Sequence, residues 1–229
     1  MAQVLERLEF GKLCVSADGP ILNNAESRAL AASTAFPARL RGVCTPRAWD
    51  LSEDRHAIEA ARRFGGTLIV VPVQVDGAIV RIGAHFRLRA EDGEGVQGRE
   101  FWRARFVCDV AAPGGLTSIA AALVDPPLRG WTSGETAAAL PVSISSPSLP
   151  SSFDIGDWCA HALGAFERGM TVSVVAPVDA GVFFALAAVL EAALPPTVRP
   201  LFSAGWGVSP DRGRQLMLSC CADGPPHPA

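Results

Sequence analysis

The dipeptide Asp76-Gly77 constrains this chain more than any other feature of its sequence. It separates TLIVVPVQV, residues 67–75, from AIVRIGAHFRLR, residues 78–89. Both runs are rich in β-branched residues and suit strands. A type I′ turn needs positive φ at both central residues, and Asp-Gly tolerates that backbone. The pair therefore predicts an antiparallel hairpin. A third strand, residues 100–110, follows the acidic, glycine-rich segment 91–99. That segment reads as an exposed loop at the end of a sheet. Charge gathers in and after it, at Asp92, Glu94, Arg99, Glu100, Arg103 and Arg105, with Trp102 and Phe106 close by.

The rest of the chain alternates between the two periodicities. Residues 3–16 read as an opening strand. NAESRALAASTA, residues 24–35, reads as a helix capped by Asn23 or Asn24 and ended by Pro37. EDRHAIEAARRF, residues 53–64, reads as a helix capped by Ser52, with Gly65-Gly66 as its stop. Gly114-Gly115 opens a short helix that ends before Pro126-Pro127. Residues 128–152 are rich in Pro, Ser, Thr and Gly and read as a connection holding one short strand, 139–145. Residues 157–168 read as a helix and 171–176 as a strand. Asp179 caps a helix over 181–194 whose apolar residues run nearly all round it, so it is expected to be buried. Residues 201–206 and 214–221 read as strands joined by a turn at 209–213, and 222–229 as a frayed tail. The expected fold is α+β: a mixed, mainly antiparallel sheet, strand-rich in the first half, with β/α alternation in the second. The organisation is either two packed halves, 1–127 and 153–221, or one composite domain.

Composition narrows the function by exclusion. Hydrophobic residues make up 49% of the 229 and charged residues 19%, which is enough to build a core. The net charge of −3 gives no case for nucleic acid, which calls for a basic face. Lys12 is the only lysine and tyrosine is absent, a bias that a GC-rich genome produces. No apolar run approaches the ~20 residues of a membrane span, and the charged N-terminus is unlike a signal peptide. A cytoplasmic protein that spans no membrane is expected. Cys14, Cys44, Cys108, Cys159, Cys220 and Cys221 form no CxxC pair and read as buried thiols in a reducing compartment.

Chemical motifs are sparse. There is no GxxxxGK[ST], GxSxG, HExxH or GxGxxG after a strand. No catalytic residue, cofactor or metal is assigned. Gly114–Ser118 at a helix start could hold an anion through exposed N–H groups. His85 and Cys108, on adjacent predicted strands, form the one conceivable Cys–His nucleophile pair. His85 alternates with Arg87 and Arg89, so the three are candidates for one face. Asp92, Glu94 and Glu100 offer oxygen donors, but their spacing matches no EF-hand loop.

Three segments carry a resemblance. One is FGKLCVSADGPILNNAESRALAASTAF, residues 10–36. The second is the charged turn with Asp92, Gly93, Gly98, Arg99 and Phe101. The third is a helix running into Leu194, Pro195, Arg199, Phe202 and Ser203. In this order they resemble the N-terminal region of the GTPase-associated protein family of bacterial NTP-dependent conflict systems. The resemblance implies an adaptor accompanying a GTPase or other NTPase, with no catalytic residues to carry over. The expected function is a non-enzymatic protein-interaction subunit. Asp92, Glu94, Arg99, Trp102, Arg103 and Arg199 are its candidate partner-binding residues, since Arg and Trp are favoured anchors. The alternatives are a hydrolase or transferase using Cys108 or Cys14 with a histidine, and a subunit of a secretion or phage-like assembly.

Overall fold

The computed structural model describes residues 3–12, 27–90, 100–109, 115–124, 140–142, 154–174, 179–210 and 215–221. The expected hairpin is its centre. Strands β3 (Thr67–Val75) and β4 (Ala78–Ala90) pair antiparallel from Val75↔Ala78 to Thr67↔Phe86. Asp76 and Gly77 adopt φ of 52° and 82°, the doubly left-handed backbone of the predicted turn. Strand β5 (Glu100–Cys108) pairs with the other side of β4, and β1 (Gln3–Gly11) pairs with β5.

The sheet continues in both directions. Its strand order is β2-β1-β5-β4-β3-β8-β9-β7, where β2 is Arg28–Ala32, β7 Val172–Val174, β8 Ala204–Trp206 and β9 Leu218–Cys220. A short strand β6 (Leu140–Val142) pairs with the start of β1. The fold is α+β, with strands dominating the first half. One sheet serves both halves of the chain, because β3 pairs with β8. The distal end departs from the antiparallel rule: β7 and β8 both run parallel to β9.

Period-two alternation gives the sheet two buried faces. Leu68, Val70 and Val107 point to one side, under helices α2 (Leu116–Val124), α3 (Ile155–Glu167) and α4 (Ala180–Ala193). Ile69, Ala84, Phe86, Ala104 and Phe106 point to the other, under α1 (Arg55–Phe64) and the segment 36–51, which supplies Phe36, Leu40, Trp49 and Leu51. Trp49 stacks against Phe86 and Phe106 at 5.6 and 5.8 Å, and its Nε1 donates to the Val43 carbonyl at 2.6 Å. The α2 helix lies almost on the sheet backbone at Gly83. A Cβ there would sit 2.2 Å from Ile119 Cγ2 and 2.9 Å from Leu123 Cδ1.

Two local expectations are corrected. The predicted helix 24–35 contains strand β2 at Arg28–Ala32, and residues 24–26 lie outside the described residues. Alanine favours helix only weakly, and pairing with the edge of β1 overrides it: Leu8↔Ala32 and Glu9↔Ala31 are in register, with Ala31 buried. The cap of α1 is Asp54 rather than Ser52. Its Oδ1 accepts from His56 N and Ala57 N, and its Oδ2 accepts from Ser209 N across the fold. A carboxylate serves both jobs because it has two oxygens, where serine has one. Asp179 caps α4 as expected, accepting from Val182 N at 2.9 Å.

Candidate functional site

Beyond the C-terminal end of α2, strands β1, β5 and β4 carry a cluster of arginines. Register sets Glu9 opposite Arg105, Arg105 opposite His85, and Arg103 opposite Arg87. Directly paired residues on antiparallel strands share a face, so these side chains stand together on the α2 side. Arg7 and Arg89, two residues along their strands, stand on the same side.

At the base of the cluster is a buried ion pair. Arg105 Nε donates to Glu9 Oε1 at 2.7 Å, and each residue is at most 2% exposed. Arg7 Nη1 lies 3.8 Å from the same carboxylate oxygen. Burial pushes the Glu9 carboxyl up, while the charges of Arg105, Arg7 and Arg103 pull it back. Burial likewise lowers the Arg7 guanidinium; Glu9 opposes the shift and the positive charge of Arg105 adds to it.

His85 closes the row against α2. Its Nδ1 lies 3.0 Å from the Leu123 carbonyl oxygen. A carbonyl only accepts, so Nδ1 carries the proton and the neutral ring leaves Nε2 as an acceptor. Burial pushes this histidine down to about 4; the Leu123 hydrogen bond opposes the shift, and the charges of Arg87 and Arg105 add to it. At the outer end, Lys12 Nζ lies 5.4 Å from the centroid of the Phe101 ring, a cation–π contact.

The predicted Cys–His pair does not form. Cys108 is in register with Ile82 and packs in the core under α1, whereas His85 is on the α2 side. The odd separation of His85 from Ile82 on one strand places them on opposite faces. Burial pushes both Cys108 and Cys44 up to about 12. These thiols are protonated at neutral pH and are poor nucleophiles. Cys14 lies outside the described residues.

Asp92, Glu94 and Arg99 also lie outside the described residues. Trp102 is half-buried and meets Phe86 edge-on at 6.4 Å, on the α1 side of the sheet. Arg103, its neighbour, is 8% exposed and stands among the arginines on the opposite side. Arg199 donates from Nε to the Leu194 carbonyl and from Nη2 to the Ala192 carbonyl, both at 2.7 Å, closing the end of α4. Trp102, Arg103 and Arg199 therefore share no surface. The anion expected at Gly114–Ser118 is the chain's own: Glu191 Oε2 accepts from Leu116 N at 2.9 Å, and the same carboxylate pairs with Arg81.

Sequence reasoning missed Arg7 and Glu9 entirely, and did not connect Arg105 to either. The alternations His85-Arg87-Arg89 and Arg103-Arg105 are visible in the sequence, but Glu9 and Arg105 are 96 residues apart. Among the described residues no group of three His, Cys, Asp or Glu side chains is placed to hold a metal ion. No described helix is long and apolar enough to cross a membrane. Comparison with protein-family models, with curated proteins and with solved structures finds no match.

Proposed function

We propose that this chain is a non-enzymatic interaction subunit, an adaptor of the cytoplasm that works beside a GTPase or other NTPase in a multi-protein assembly. The observation that supports binding over catalysis is the split between the candidate nucleophile and its base. Cys108 and His85 stand on opposite faces of the sheet, the thiol held protonated and the imidazole tied to a main-chain carbonyl. The polar side chains that do converge are arginines, which recognise carboxylates and phosphates through a planar fork and lend themselves to contact with partners. The choice of an NTPase as partner rests on the resemblance carried by the segments around Arg99 and Arg199.

The test is capture of the tagged full-length chain from its native cell, with native mass of the eluate. The expected result is a complex of fixed stoichiometry that contains an NTPase. Recovery of the chain alone as a monomer overturns the reading.

A further inference from the structure

We propose that the cationic side of β4 and β5, where Arg87 faces Arg103 beside Arg89 and Lys12, binds a phosphate-bearing anion. This deepens the adaptor reading by naming what the subunit recognises, and it is testable on the isolated chain.

The first support is the register. Arg87 and Arg103 are direct cross-strand partners, and like charges in that position destabilise a sheet. The pairing has no easy relief. A one-residue slip of β5 would move Ala104, Phe106 and Cys108 out of the core that they share with Phe86 and Trp49. The sheet thus holds two guanidinium groups opposed. An anion between them turns repulsion into bridging, because each planar fork matches two oxygens of a phosphate.

The second support is the gradient of burial. Arg105 and Arg103 are 1% and 8% exposed, whereas Arg87, Arg89 and Lys12 are half-buried. The outer three reach solvent, with the inner two behind them as fixed positive charge. Glu9, the described carboxylate in this row, lies at the inner end, bound to Arg105 and near Arg7. Cations that converge from adjacent strands suit a dianion with three acceptor oxygens better than a single carboxylate. The chain's net charge of −3 makes this a local site rather than a nucleic-acid surface.

The phosphate belongs either to a free nucleotide or to a phosphorylated side chain of a partner, and the experiment separates the two. The isolated full-length chain is titrated calorimetrically with inorganic pyrophosphate, a nucleoside triphosphate and a phosphoserine peptide, at fixed salt. Saturable pyrophosphate binding is expected. It should weaken about tenfold or more in Arg87→Gln and in Arg89→Gln, and be unchanged in Arg63→Gln, an exposed arginine of α1. The His85 ring, which feels Arg87 and Arg105, serves as a second readout: its NMR titration should move upward when the anion is bound. Tighter binding of the triphosphate assigns the free nucleotide, and tighter binding of the peptide assigns the partner's side chain. Absent binding, or binding that none of the variants alters, overturns the proposal, whatever the capture experiment returns.

Discussion

Glu9 and Arg105 show how much a single residue can depend on another far along the chain. Each is a charge removed from water, tolerable because the other is 2.7 Å away. Removing one leaves the other buried and uncompensated. Glu9→Ala should therefore destabilise the fold by about 3–5 kcal/mol, measured by urea unfolding. The double change Glu9→Leu with Arg105→Met removes both charges and should cost clearly less than Glu9→Ala alone. Equal losses would mean that the pair contributes packing rather than charge. Neither residue announces this role in the sequence. Arg105 reads there as one more charge near an acidic loop, and Glu9 as an ordinary polar residue on an opening strand. Arg103 and Arg199 were legible as conspicuous arginines, but their sequence context does not say that one is buried in a sheet face and the other closes a helix.

Helix α2 illustrates the element scale. Its sequence is apolar enough to predict burial, yet its position is decided by a residue outside it, Gly83 of β4. Only a residue without a Cβ lets Ile119 and Leu123 approach the strand so closely. Gly83→Ala should lower stability by about 1–3 kcal/mol through overpacking, and adding Ile119→Ala should recover part of that loss in thermal unfolding. An unchanged midpoint for Gly83→Ala would show that α2 shifts at little cost. The same scale explains the misread segment at Arg28–Ala32. Its alanines suit a helix locally, but β1 offers a row of backbone partners, and a weak propensity yields to a ladder of hydrogen bonds. The hairpin at Asp76-Gly77 was legible because its signal is local and chemical: two adjacent residues must both accept positive φ.

At the scale of the whole molecule, the sheet brings His85 under α2 and among arginines, and this links stability to pH. The folded ring titrates at about 4 against an ordinary 6.5, so between those values the unfolded chain binds the extra proton. The His85 contribution is complete above about pH 6.5, is lost progressively as pH falls, and levels off below about pH 4. Replacing the ring by His85→Gln should flatten that limb in a series of denaturation curves. Glu9, raised by burial, acts in the opposite sense, but equally in both proteins, so the difference between them isolates the ring. A limb that is unchanged in the variant would assign the acid sensitivity elsewhere. The sequence by itself determined what depends on neighbours in the chain: the central hairpin, the capped and buried α4, the α+β class, and the presence of thiols and arginines without a recognised catalytic motif. The tertiary structure alone decided what depends on register and face. One sheet joins both halves, Cys108 is parted from His85, and Glu9 is set against Arg105. The reason is that strand pairing connects residues of any separation, and a single step along a strand reverses the face on which a side chain stands.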